Sequence, residues 1–253
     1  MKKDKLCGII ESKKERVNGM LLGYRVNTQD KKMLAEELVK SSRSIHVVSG
    51  NPEVLYTGLR NERLKQEFLR EDTLIIPDGA GVVLALKWRG KNVQKVAGIE
   101  LADELLLTAE KTGKSVFLLG ATEKVNQLAT KRVEKHYPNL SVKGSIDGFY
   151  FNEKQVVETI KEAKPDILFV AMGCPRQEEF ILKYREELKV PVMMGVGGTF
   201  DVWAGNIKRA PEWMIKLSLE WLYRLWCQPQ RIGRYKSIFA FMCLSKRMAK
   251  KES

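Results

Sequence analysis

The chain has 253 residues, enough for one large domain or for a domain of roughly 200 residues with a tail. Apolar residues make up 44% of it, which excludes disorder as the main state. The formal net charge of +13 points to an anionic partner, whether nucleic acid, anionic lipid or a phosphate-bearing substrate.

In chain order, residues 1–18 are polar and mostly charged and read as a loose arm. Ile45–Ser49 reads as a strand, Pro52–Leu69 as one helix, and Thr73–Pro77 as a short strand stopped by Pro77-Asp78-Gly79. Ile99–Lys111 reads as a helix with Leu101, Leu105 and Leu106 on one face, followed by a strand at Ser115–Gly120 and a helix at Glu123–His136. Strands at Asp166–Met172 and Val190–Val196 enclose a helix at Arg176–Leu188. Strands alternating with helices of this length predict an α/β fold with a largely parallel sheet. The nearly unbroken apolar character of the strands predicts helices on both faces. In such sheets ligands bind beyond the carboxyl ends of the strands. Those ends here carry Ser49-Gly50-Asn51, Asp78-Gly79, Gly120-Ala121-Thr122, Met172-Gly173-Cys174 and Gly195 to Asp201.

Past Asp201 the texture changes. Pro211–Trp226 reads as a Trp-rich helix, Gln228-Pro229 as a break, and Arg231–Lys251 as a second helix carrying Ile238, Phe239, Phe241, Met242 and Leu244. Eleven Lys or Arg against three Glu from Lys208 to Ser253 place +8 of the net charge there. The expected organisation is a core over 1–207 and a helical appendage over 208–253. A basic, aromatic, amphipathic unit can lie in a membrane interface, or it can simply pack on the domain.

Four cysteines at 7, 174, 227 and 243 match no zinc spacing and no disulfide framework, and with two histidines they argue against a tetrahedral metal site. No signal-peptide run follows Met1, and no window holds 18 consecutive apolar residues, so the expectation is a protein that stays inside the cell without a spanning helix.

Gly79-Ala80-Gly81 and Gly195-Val196-Gly197-Gly198 each follow a strand, but Leu84 and Phe200 stand where a dinucleotide fingerprint needs a third small residue. A nicotinamide oxidoreductase is therefore disfavoured. A nucleic-acid binder is disfavoured by the lack of RRM, KH or zinc motifs. Asp78 stands either as an Asx-turn residue, which Asp-Gly favours, or as a general base at the sheet's carboxyl edge. Pro175 suits a helix start, and it places Arg176 and Gln177 in a first turn where backbone N–H groups suit an anion. Asp201 stands either as an acceptor for ribose hydroxyls or as a cap for the next segment.

Ten segments in order resemble the WecG/TagA/CpsF family of bacterial glycosyltransferases. They are Asn51-Pro52-Glu53, Pro77-Asp78-Gly79-Ala80-Gly81, Val96-Ala97-Gly98-Ile99-Glu100-Leu101, Phe117-Leu118-Leu119-Gly120-Ala121, Gly148-Phe149-Tyr150-Phe151, Gly173-Cys174-Pro175-Arg176-Gln177-Glu178, Gly195 to Val202, Arg209-Ala210-Pro211, Leu219 to Arg224, and Pro229-Gln230-Arg231. The resemblance implies a Rossmann-like core and an inverting enzyme that needs no metal or other cofactor. Such an enzyme moves a sugar, often N-acetylmannosamine, from a UDP-sugar to a polyprenyl-diphosphate-linked acceptor. It implies Asp78 as the base, with Ser49 and Asn51 in the same pocket, Gln177 contacting substrate, and Gly197, Gly198 and Asp201 holding UDP. Arg224, Arg231 and Arg234 would meet the acceptor diphosphate. It further implies an anionic inner-leaflet membrane surface as a partner, self-association into a homo-oligomer, and no nucleic acid. Relatives commonly carry Arg-Val-x-Gly-x-Asp where this chain has Lys95-Val96-Ala97-Gly98-Ile99-Glu100. Lys95 keeps the charge and loses the bidentate fork, which opens the donor to a hexose such as glucose.

Overall fold

The computed structural model describes residues 19–149, 152–216, 220–227, 233 and 235–252. The arm at 1–18 lies outside them. The strands are β1 (Gly19–Leu21), β2 (Tyr24–Val26), β3 (Ile45–Ser49), β4 (Thr73–Ile76), β5 (Ser115–Gly120), β6 (Ser141–Ile146), β7 (Ile167–Ala171) and β8 (Val192–Gly195). Among the described residues they form an eight-stranded sheet in the order β1-β2-β4-β3-β8-β7-β5-β6. The strand pairs are parallel except for β1 with β2.

Twelve helices cover this sheet among the described residues: α1 (Lys31–Val39), α2 (Pro52–Arg60), α3 (Glu62–Leu69), α4 (Ala80–Lys87), α5 (Gly98–Thr112), α6 (Glu123–His136), α7 (Glu153–Ala163), α8 (Arg176–Leu188), α9 (Thr199–Trp203), α10 (Glu212–Lys216), α11 (Glu220–Cys227) and α12 (Tyr235–Glu252). The two-residue period of the strands sends alternate side chains to opposite layers. From β5 and β7, Val116, Leu118, Ile167 and Phe169 enter the core shared with α1, α5 and α6. Their neighbours Phe117, Leu119, Leu168 and Val170 enter the core shared with α7 and α8. This is the predicted α/β, Rossmann-like architecture, helices on both faces included.

The helix predicted over Pro52–Leu69 is instead two. Asn61 breaks it with an extended backbone (φ −116°, ψ 108°), and its Oδ1 accepts from the N–H groups of Arg63 and Leu64 as the N-cap of α3. The predicted second C-terminal helix is described over Tyr235–Glu252, and its expected start at Arg231 lies outside the described residues. Its apolar side is not left open: Phe241 is fully buried, and Met242, Leu244 and Met248 pack with it against α2, α4 and their core. Lys246 covers the Trp88 ring at 5.9 Å. The last helix therefore braces the two helices that start beside the candidate site.

At the opposite, amino-terminal edge of β3 and β4, Arg185 of α8 joins Glu67 and donates to the carbonyls of Ser44 (3.0 Å) and Asp72 (3.2 Å). His46 Nδ1 lies 2.9 Å from Glu67 Oε1. Burial works to raise the Glu67 carboxyl, but hydrogen bonds from His46 and Arg185 and their charges outweigh it and leave it below the usual range. This sealed network fixes α3 and α8 to the sheet.

Candidate active site

The chain leaves β3 on one side of the sheet for β4, while β5 to β8 build the other side. The switch between the two halves falls between β3 and β8, where open α/β sheets receive ligands. Ser49 ends β3, and its hydroxyl donates to the Gly195 carbonyl of β8 at 3.3 Å, across that switch. Ile76 ends β4, and its carbonyl accepts from the N–H groups of Gly50 (3.0 Å) and Asp78 (2.9 Å). The loop after β3 and the turn after β4 are thereby held side by side.

Asp78 is half-buried in that turn. Gly79 follows at φ +89°, a conformation open to glycine and costly for other residues, and α4 starts immediately after it. Beside the turn, the Val96 N–H donates to the Pro77 carbonyl at 3.1 Å, which lays the Lys95–Glu100 segment along it. Gly98 then opens α5 against Ser49 and Asp78. A methyl group at Gly98 would lie 2.3 Å from Ser49 Oγ, 3.3 Å from Ser49 Cβ and 3.4 Å from Asp78 Oδ2. Hydroxyl and carboxylate therefore converge on a backbone with no side chain of its own. A half-buried carboxylate beside a hydroxyl at a sheet's carboxyl edge can take a proton from a bound alcohol.

Asn51 adjoins this group, but its Oδ1 caps α2 by accepting from the Val54 N–H at 3.1 Å. Lys95 pairs with Glu220 of α11 at 3.1 Å. Glu100 pairs with Lys31 at 3.1 Å and with Arg209. Lys95 and Glu100 thus both face charged partners, and one partner of each, Glu220 and Arg209, lies past residue 207.

Gln177 lies 3% exposed on α8. Its Oε1 accepts from the N–H groups of Gly173 (3.1 Å) and Gly197 (2.9 Å), so its amide ties together the loops after β7 and β8. Gly198 precedes α9, and Asp201 lies within that helix, where its backbone carbonyl accepts from Asn206 (3.0 Å) and Ile207 (3.2 Å). Arg176 donates to the Gly148 carbonyl at 3.0 Å, and its guanidinium lies 6.0 Å from the Phe149 ring centre. Arg231, Arg234 and the Arg224 side chain lie outside the described residues.

The structure thus brings Ser49, Asn51 and Asp78 together, with the backbone after Lys95 laid beside their turn, and links them through Gly195 to Gln177 and Gly197. Sequence reasoning missed Gly98 as a contact point, although a glycine in the first turn of a helix is a signal, because it lowers helix stability unless close approach requires it. It also missed Glu178, whose spacing of three and seven from Ile181 and Arg185 puts it on the buried face of α8.

Comparison with known proteins places the chain in a family. The description "Glycosyl transferase WecG/TagA/CpsF family" matches residues 20–253. An N-acetylglucosaminyldiphosphoundecaprenol N-acetyl-beta-D-mannosaminyltransferase of Bacillus subtilis is 40% identical over 189 residues, covering 74% of this chain and 73% of that protein. The protein of the same name from Bacillus spizizenii is 39% identical over 198 residues, covering 78% and 77%. Its counterpart in Staphylococcus aureus is 39% identical over 204 residues, covering 80% of each.

Proposed function

The chain belongs to the WecG/TagA/CpsF family of glycosyltransferases, and from that premise we propose that it moves N-acetylmannosamine from UDP to N-acetylglucosaminyl-diphosphoundecaprenol, a step of cell-wall polymer synthesis. The observation that carries this reading is the convergence of Ser49 Oγ and Asp78 Oδ2 on Gly98 at the sheet's switch point, in a chain whose relatives are named for that transfer.

In the proposed mechanism Asp78 accepts the proton of the acceptor sugar's hydroxyl. The freed oxygen bonds to the donor's anomeric carbon as the bond from that carbon to the UDP oxygen breaks, with inversion. The negative charge leaves with UDP. Lys95 is suited to receive it, and Arg224, Arg231 and Arg234 are suited to the acceptor's diphosphate. The same basic groups are proposed to make a metal unnecessary.

The acceptor carries a lipid, and the C-terminal unit offers it a surface. Trp226 is 85% and Phe239 72% exposed, Trp213 and Leu222 are exposed as well, and Lys236, Lys246, Arg247 and Lys250 stand on the outer side of α12. No helix among the described residues is long and apolar enough to cross a membrane. These features support docking on the anionic inner face of the plasma membrane, with the exposed tryptophans at the lipid boundary. The test is UDP release in EDTA-containing buffer with a short-chain N-acetylglucosaminyl-diphospholipid, offering UDP-N-acetylmannosamine and UDP-glucose in parallel. Release with the first donor alone is expected. Release with glucose alone would overturn the donor assignment, and loss of activity in EDTA would overturn the metal-free reading.

A further inference from the structure

Glu178 is 1% exposed, inside the first turn of α8, and its Oε1 accepts from Gln177 Nε2 at 2.7 Å. We propose that Glu178 is a positioning residue: by holding the Gln177 amide in one orientation, it keeps the Gly173 and Gly197 loops at the spacing that receives the donor's diphosphate. The loop tie itself is visible in the hydrogen bonds; its bearing on the donor rests on the transferase reading above.

A side-chain amide has two different faces. Gln177 offers one oxygen and one NH2 group, and its oxygen already accepts from the Gly173 and Gly197 N–H groups. Turned over, it would present N–H groups to N–H groups, and both loops would lose their tie. An acceptor at Nε2 selects the working orientation, and Glu178 Oε1 is that acceptor. The cradle is tight on the other side, because a methyl group at Gly195 would fall 2.6 Å from Gln177 Nε2. The two loops follow β7 and β8, which are adjacent in the sheet, so one side chain sets the gap between neighbouring strand ends.

Glu178 is sealed from solvent and so does not touch substrate. The titratable groups that face it are the Cys174 thiol, after β7, and Glu53, in the first turn of α2. Burial pushes the Glu178 carboxyl up to about 7, with Glu53 adding to the rise and the bonds from Gln177 and Cys174 opposing it. Protonated or ionised, the carboxyl keeps Oε1 as an acceptor. A glutamine at this position keeps it too, whereas leucine has none.

The experiment compares the full chain with Glu178→Gln and Glu178→Leu. It measures amide hydrogen exchange in segments 171–177 and 195–199, kcat, and KM for UDP-sugar and for the lipid acceptor separately. In Glu178→Leu, exchange in both segments is expected to speed up about tenfold, and KM for UDP-sugar to rise about tenfold, the loss of one buried hydrogen bond. KM for the acceptor should stay level. Glu178→Gln should remain within about twofold of wild type on every measure. Should Glu178→Leu fail to fold, Gln177→Glu, which keeps the size and removes the Nε2 donor, is expected to loosen both segments in the same way. Wild-type exchange and UDP-sugar KM in the leucine variant, or equal damage in the glutamine variant, would overturn the proposal. Looser loops in a protein whose wild type releases no UDP would refute the donor reading and leave the tie in place.

Discussion

Replacing Gly98 with alanine puts the site geometry under direct pressure. The added methyl lands 2.3 Å from Ser49 Oγ, well inside contact distance, and 3.3 Å from Ser49 Cβ. Rotating the Ser49 hydroxyl away breaks its 3.3 Å bond to the Gly195 carbonyl and still leaves Cβ tight, so the end of β3 or the start of α5 must shift. Asp78 Oδ2 lies 3.4 Å from the same methyl, and its turn is tied to the segment before α5 by the Val96 N–H to Pro77 carbonyl bond, so a shift of α5 is passed to it. Overpacking of this kind costs about 1–3 kcal/mol of stability. Displacement of a reacting group by about 1 Å costs about 10²-fold in rate, or about 2.7 kcal/mol of transition-state stabilisation. The assay is kcat from UDP release, beside UDP affinity by calorimetry and stability by urea melt. The expected outcome is kcat down about 10²-fold with UDP affinity within about threefold, and partial recovery in the double variant Gly98→Ala with Ser49→Gly, which removes the clashing side chain. Wild-type kcat in Gly98→Ala would refute the convergence of Ser49 and Asp78 as the reacting centre.

Three further outcomes are expected. Glu178 has an ordinary value of 4.5 and a folded value of about 7, so below 4.5 both states are protonated; as pH rises from 4.5 to about 7 the unfolded chain ionises first and stability falls. The loss amounts to about 3 kcal/mol, and urea melts of Glu178→Gln should lack it across that window. Arg185→Leu leaves the buried Glu67 charge without its guanidinium and should lower stability by about 3–5 kcal/mol in urea; a loss below about 1 kcal/mol would contradict the network's role. The double variant Trp226→Ala, Phe239→Ala should lower recovery on anionic vesicles about tenfold without moving the melting temperature, since both side chains are exposed; unchanged recovery would count against this face as the docking surface.

The parallel core was readable because β3, β5, β7 and β8 are short apolar runs between helices of clear period. Other elements lacked that signal. The edge strand β6 carries Lys143 and Gly144 in a half-exposed run, and β1 and β2 have three residues each, so neither offers a continuous apolar stretch. The helix α4 is apolar nearly throughout, which hides the helical period, because α12 covers the side that would otherwise face water. Ser49, Asn51 and Asp78 lie at strand ends, where such sheets bind ligands, but an Asx turn accounts for Asp78 as well from spacing alone, and the resemblance to the family is what singled the three out. Pairings such as Lys95 with Glu220 and Glu100 with Arg209 join residues more than a hundred positions apart, and no local pattern records them. Gln177 was expected to contact substrate; that its amide oxygen accepts from two backbone N–H groups could not be read from sequence, because it depends on two loops meeting in space.

The proposed mechanism turns on the proton-accepting role of Asp78. Asp78→Asn keeps the shape of the side chain and removes its basicity. Single-turnover transfer with UDP-N-acetylmannosamine and the diphospholipid acceptor, alongside UDP affinity of the same preparation, separates chemistry from binding. The expected rate is lower by about 10²–10⁴-fold, the range of a general base, with UDP affinity unchanged. Transfer within about threefold of wild type, at equal UDP affinity, would contradict it.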